Sequence, residues 1–151
     1  MKHVYKVGFF LMGGVLVASL IAGCSKKEGE APAGSAQVDK GVGPVSSVTL
    51  GTLDTQKAAA GQQLFQAKCS ACHKLDEKYV GPALKGVTQR RAPEWIMNMI
   101  LNPQEMTEKN PTAKELLATH FTQMPFQNVT QDEARSILEY FRQNDSQGGA
   151  K

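Results

Sequence analysis

The pentapeptide Cys69-Ser70-Ala71-Cys72-His73 constrains this chain more than any other stretch of it. Two thiols at this interval, with an imidazole directly after the second, have the spacing of covalent c-type haem attachment. Each sulfur joins one vinyl group of the porphyrin, and the adjacent histidine then falls beneath the iron as its proximal ligand. The motif predicts haem attachment at Cys69 and Cys72, axial ligation by His73, and a redox role.

Other chemistries fit these residues less well. A structural zinc site needs four ligands, usually as two Cys/His pairs. The chain has three cysteines and three histidines, of which Cys24 and His3 lie near the N-terminus, leaving a lone His120 as a poor second pair. A thioredoxin-like Cys-x-x-Cys belongs in a βαβ context, and no strand-rich pattern surrounds this one. Two ordinary helical cysteines beside an unremarkable histidine is the bland alternative.

The N-terminus points out of the cytoplasm. Lys2, His3 and Lys6 form a basic start, followed by an apolar run from Val7 to Ala22. That run is short for a membrane-spanning helix, which needs about 20 residues, and it fits an export signal. It closes on Leu20-Ile21-Ala22-Gly23-Cys24, which resembles a bacterial lipobox, with Cys24 as the lipid-modified first residue of the mature chain. An ordinary secretory signal with a coincidental cysteine, or an uncleaved anchor, is the alternative. Either suits the compartment in which c-type haem is attached.

Charge adds little. Removing residues 1–23 takes away Lys2 and Lys6 and no acid, leaving 15 basic against 14 acidic residues. So even a balance argues against nucleic acid as a partner. Around the motif, Lys68, Lys74, Lys78, Lys85, Arg90 and Arg91 outnumber Asp76 and Glu77. This cluster is either a docking face for an acidic partner or an ordinary solvated surface, and the second is favoured.

With 151 residues there is room for one small domain. The expected organisation is a lipoprotein signal over 1–23, a flexible tether over 24–41 and an extended segment docked on the domain over 42–54. A folded domain over 55–145 and a disordered tail over 146–151 complete it. The tether is rich in Gly, Ala, Pro, Ser, Lys and Glu. In the domain, a first helix from about Thr55 to Lys68, capped by Asp54 or Thr55, places Ala58, Gly61, Leu64 and Phe65 on one face. Gly61 costs such a helix roughly 1 kcal/mol against alanine, which a close helix crossing explains. A second helix starts at Pro93 and carries Trp95, Ile96, Met99 and Ile100. Thr112-Ala-Lys-Glu115 and Thr130-Gln-Asp-Glu133 both have the form of a capping box. The first would open a short helix through Ala118; the second opens the last helix, with Ala134, Ile137, Leu138 and Phe141 as its apolar stripe. No strand alternation appears, so the domain is predicted all-α.

From about Thr55 to Asn144 the chain resembles the class I cytochromes c. The order is Gly61 and Phe65 on a helix, the Cys69–His73 motif, Gly81-Pro82, Met124-Pro125, then a terminal helix with Ile137 and Tyr140. The resemblance implies four to five helices wrapped around one covalently bound haem, with the first and last helices crossing at Gly61. It also implies a methionine as sixth ligand, whose thioether raises the potential. Met124 is the choice, because Pro125 holds it in an extended loop just before the last helix, where the family places its axial methionine. Met106, in a polar, proline-bounded loop, is the runner-up; Met97 and Met99 suit core filling, and His120 is a weaker bis-histidine alternative. The resemblance further suggests that the Pro82 carbonyl accepts the His73 Nδ1 proton and that Tyr79 packs on the haem. Trp95 would donate to a propionate, or simply be buried, and Arg90 or Arg91 would neutralise a propionate, or simply be surface cations.

The function expected is a membrane-tethered carrier passing single electrons between larger respiratory complexes, not an enzyme. It has no small-molecule substrate and is expected to be a monomer in the cell envelope. Similar lipoprotein cytochromes serve terminal oxidases or reductases, nitrous oxide reductase among them. A tether of about 17 residues reaches only ~20–25 Å, which favours a partner at the same membrane. The rival is a haem-based gas or redox sensor with a labile sixth ligand. A peroxidase, which in this family uses a second haem, ranks last.

Overall fold

The computed structural model describes residues 38–148. The signal over 1–23, Cys24, most of the tether and the last three residues of the tail lie outside the described residues. Among the described residues the regular structure is entirely helical: α1 (Thr55–Lys68), α2 (Val87–Arg90), α3 (Pro93–Leu101), α4 (Pro103–Lys109), α5 (Pro111–His120) and α6 (Gln131–Gly148). None of these helices is long and apolar enough to cross a membrane.

Helices α1 and α6 form the frame. The side chain of Asp54 accepts the Lys57 N–H at 2.9 Å and opens α1. Thr130 and Glu133 cap α6 reciprocally, Glu133 Oε2 taking the Thr130 N–H at 2.8 Å and Thr130 Oγ1 the Glu133 N–H at 3.2 Å. The two helices cross at Gly61, which is buried, and a Cβ there would be driven into the Ser136 carbonyl. Phe65 of α1 then meets Tyr140 and Phe141 of α6, ring centroids 5.5 and 5.8 Å apart. Glu139 is fully buried on α6, with Arg135 at 3.0 Å and Arg142 at 2.7 Å. Burial of a carboxylate requires such pairing.

Helix α3 is apolar except for buried Glu94 and Asn98, and Asn98, 1 % exposed, does most to organise the N-terminal segment. Its Oδ1 accepts the Val45 N–H at 2.9 Å, and its Nδ2 donates to the carbonyls of Lys40 and Val45 at 3.0 and 2.9 Å. Glu94, one turn earlier, accepts the Val48 N–H at 3.1 Å and pairs with Lys40 at 3.2 Å. Asp39 accepts from Asn110 at 2.8 Å and from Thr112 at 3.2 Å. Residues 38–54 thus lie as an irregular strap fastened to α3, α5 and α6. Ordered packing begins at Asp39, before the expected tether end at residue 41, because these side chains supply its backbone with partners.

Three further expectations give way. Pro103 and Pro111 each occupy the first turn of a helix, where a missing N–H costs nothing, so the presumed loop around Met106 is helix α4. Asn110, not Thr112, caps α5: its Oδ1 accepts the Ala113 N–H at 3.0 Å, while Thr112 bonds Asp39. The tail is helical as far as Gly148. The described residues form six helices, two of them (α2 and α4) short, in keeping with the four to five expected.

Candidate functional site

Between α1, α3, α5 and α6 lies a largely apolar cleft, open to solvent on one side. Ile96, Met99 and Ile100 line it from α3, following the i, i+3, i+4 rhythm of one helix face, and Phe65 and Phe141 line it from the frame. Cys69, Cys72, His73, Pro82, His120 and Met124 all face this one space.

The motif follows α1 directly. The Cys69 N–H caps the helix on the Phe65 carbonyl at 2.9 Å, and the His73 N–H returns to the Cys69 carbonyl at 2.9 Å. This tight turn presents both sulfurs to the cleft, and neither is in a disulfide. Burial pushes the Cys69 thiol above its ordinary pKa; nearby Lys68 works against this and Cys72 adds to it.

The His73 ring is fixed from behind. Its Nδ1 lies 3.1 Å from the Pro82 carbonyl, which leaves Nε2 free for a metal. The Gly81 N–H bonds the Cys72 carbonyl at 2.9 Å, pinning the Gly81-Pro82 segment to the motif. Gly81 is also sterically required, since a Cβ there would strike the imidazole. Burial lowers the His73 pKa, the Pro82 bond opposes this, and the neighbouring His120 lowers it further. The ring is therefore neutral at neutral pH, the form that ligates iron.

Met124 lies in an irregular segment between α5 and α6 and faces the cleft. Lys68 Nζ donates to the Gln127 carbonyl at 3.2 Å, and Gln123 Nε2 to the Met124 carbonyl at 3.2 Å. Met106 does not compete: it is fully buried in α4, away from the cleft, and its sulfur accepts the Val42 N–H at 3.0 Å. Trp95 borders the cleft, but its indole N–H is already donated to Asn110 Oδ1 at 3.2 Å, so it is not free for a propionate. Tyr79 points outward, 57 % exposed, with the Lys74 ammonium 5.2 Å above its ring, and does not line the cleft. Arg90 and Arg91 both border the cleft. The guanidinium of Arg90 is tied to the Lys85 and Ala83 carbonyls at 2.6 and 3.2 Å, and that of Arg91 lies over the Trp95 ring.

Sequence reasoning assigned Met99 to core filling and passed over Thr107; both line the cleft. The Ile96, Met99, Ile100 spacing was the available signal for the first. Thr107 reaches the site through Gln123, at 2.9 Å across 16 residues, and no local pattern announces such a bond.

The chain also matches the family model described as Cytochrome c over residues 58–145, more than half its length. This chain is a cytochrome c family member. Members of that family carry covalently attached haem c. The pocket fits such a group: two free thiols, an imidazole with one nitrogen unengaged, an apolar cleft, and a buried His120 Nδ1 without a partner. A cytochrome c from Rhodothermus marinus is 45 % identical, with a TM-score of 0.68 over 70 % of this chain and 91 % of that one. Cytochrome c2 of Rhodopseudomonas palustris is 46 % identical over 46 residues, or 30 % of this chain and 32 % of that protein. Cytochrome c-551 of Stutzerimonas stutzeri is 51 % identical over 45 residues, or 28 % of this chain and 43 % of that protein. The chain thus spans less than half the length of these two curated relatives. The cofactor is haem c, and electron transfer through haem is the family's chemistry.

Proposed function

We propose that this chain is an exported, membrane-tethered carrier with a single haem c that passes one electron at a time between respiratory complexes. The observation that carries the proposal is the His73 imidazole, held by the Pro82 carbonyl and facing a cleft shared with both thiols and Met124. Bound haem supplies an iron that cycles between ferric and ferrous by one electron.

The chain's own residues do the rest. Cys69 and Cys72 would hold the porphyrin through thioether bonds to its two vinyl groups. His73 and Met124 would offer the iron an imidazole and a thioether, and the soft thioether would raise the potential. Ile96, Met99, Ile100 and Phe141 exclude water, which keeps reorganisation small when the charge changes. The sequence holds one Cys-x-x-Cys-His, which supports a single haem. Residues 1–23 with Cys24 support export and a lipid anchor. The acceptor is a terminal oxidase or reductase at the same membrane, of which nitrous oxide reductase is one candidate.

The test is purification of the matured chain from membranes, with acid–acetone extraction and a pyridine haemochrome assay. One haem per chain that resists extraction, and a long-wavelength Met–Fe charge-transfer band in the ferric form, are expected. Met124→Ala should abolish that band and lower the midpoint potential. Extractable haem, or a band untouched by Met124→Ala, would overturn the assignment.

A further inference from the structure

Met124 reaches the cleft on a segment with little structure of its own. Residues 122–129 belong to no helix and make no backbone–backbone hydrogen bond with the described chain. Side chains tie the segment to the rest of the molecule at two places. At its far end Val129 is buried, and Lys68 of α1 donates to the Gln127 carbonyl at 3.2 Å. At its near end Gln123, directly before Met124, is bonded to α4.

Thr107 is the α4 residue concerned. It lines the cleft, is 7 % exposed, and its hydroxyl lies 2.9 Å from Gln123 Oε1. The same hydroxyl is 3.1 and 2.9 Å from the Pro103 and Gln104 carbonyls of its own helix. Those carbonyls receive the N–H groups four residues on, whereas Gln123 Oε1 has no other donor among the described residues. The hydroxyl proton therefore goes to the glutamine. Both hydrogens of Gln123 Nε2 are then left to donate, to the Met124 carbonyl at 3.2 Å and the Pro103 carbonyl at 3.4 Å.

Helix α4 gives this contact a firm footing. Met106, next to Thr107, is fully buried and accepts the Val42 N–H. It lies so close to Gly41 that a Cβ there would strike its sulfur. The strap thus grips α4 on one side while Thr107 reaches the cleft on the other.

We propose that Thr107 and Gln123 are positioning residues for the axial thioether, and that their hydrogen bond sets how often Met124 leaves the iron. Neither side chain is a ligand. Both act through the Met124 backbone, so breaking their bond frees the thioether without removing it. This inference rests on the axial role given to Met124 above.

The test is stopped-flow binding of cyanide to the ferric, matured holoprotein, followed by loss of the Met–Fe band. Cyanide takes the sixth position only when Met124 is off it, so at high cyanide the rate reports opening of the segment. Thr107→Val keeps the shape and removes the hydroxyl, and should open about five- to tenfold faster, the factor one hydrogen bond of ordinary net worth gives. Gln123→Leu, which also frees the Met124 carbonyl, should open at least as fast. Gln123 is exposed, so that variant needs no repacking. Adding Thr107→Val to it should change nothing further, because the shared contact is already gone. Thr107→Ser keeps the hydroxyl and should keep the slow rate. The urea midpoint for loss of helicity should stay close to that of the unaltered chain throughout.

Single variants that open at the unaltered rate overturn the proposal, as does a double variant faster than Gln123→Leu, or Thr107→Ser as fast as Thr107→Val. Faster opening that follows a falling urea midpoint would mark general loosening and overturns it too. An unaltered chain without the band, or a Met124→Ala variant that keeps it, would instead sink the axial role of Met124.

Discussion

Two glycines carry residue-scale constraints that no other side chain satisfies. Gly61 lies where α1 and α6 meet at the Ser136 carbonyl. Gly61→Ala should raise intrinsic helix propensity and still destabilise the domain by about 1–3 kcal/mol through overpacking, read as a lower urea midpoint with an unchanged slope. Gly81 sits against the imidazole of His73. Gly81→Ala should push that ring off the Pro82 carbonyl, weaken the imidazole as a donor and raise the midpoint potential, with little change in helicity. The first glycine stood out in the sequence because it interrupts a helical pattern. The second belonged to a Gly-Pro pair whose steric purpose appears only when His73 folds back over it.

At the scale of elements, the strap and α3 depend on each other. Asn98→Ala would orphan the Val45 N–H and the carbonyls of Val45 and Lys40. The expected cost is on the order of 2–3 kcal/mol, with faster amide exchange at Val45 before any change in α6. Acid should loosen the same strap. Burial alone would raise the Glu94 pKa, but hydrogen bonds from its own backbone, from Lys40 and from Val48 outweigh it and hold the carboxyl below the usual range. The unfolded chain then binds the proton more readily, so this contribution is complete above the ordinary glutamate value of about 4.3. It is lost as pH falls through the lower folded value. Exchange at Val48 should accelerate through that acid window, and Glu94→Gln should flatten the dependence.

These pairings also mark where the sequence stopped being readable. Helices α1, α3 and α6 announced themselves by apolar period, Pro93, Asp54 and the Thr130–Glu133 pair, all local signals. Helix α2 is four residues long. It owes its existence to buried Asp145, which accepts the Gly86 and Thr88 N–H groups at 2.6 and 3.0 Å from 59 and 57 residues away. Trp95 was offered to a propionate because its bond to Asn110 depends on α4 and α5, whose opening prolines looked like boundaries. Within the site, the attachment motif was legible as a contiguous pattern, and the part played by Pro82 through the resemblance to class I cytochromes c. Thr107, Lys68 and the orphaned nitrogen of His120 became visible only once distant segments were side by side.

For the molecule as a whole, the cleft walls are the large apolar surface the helices leave uncovered. A haem-free chain should therefore be markedly less stable, since a group bound only by the folded state stabilises that state. Cys69→Ser/Cys72→Ser, produced without haem attachment, should unfold at lower urea than the matured chain or fail to reach native helicity by circular dichroism. Equal stability of the two would mean the walls collapse onto one another at no cost.

The strap has a mechanical consequence. Its bonds come in sequence order, Asp39 and Lys40 first, then Val42, Val45, Val48, Thr49, Gly51 and Asp54. A pull arriving from upstream of Val38 must part them one after another before any tension reaches Thr55. The segment from Cys69 to His73 would thereby be insulated from such a pull, much as a strain relief protects the soldered end of a cable.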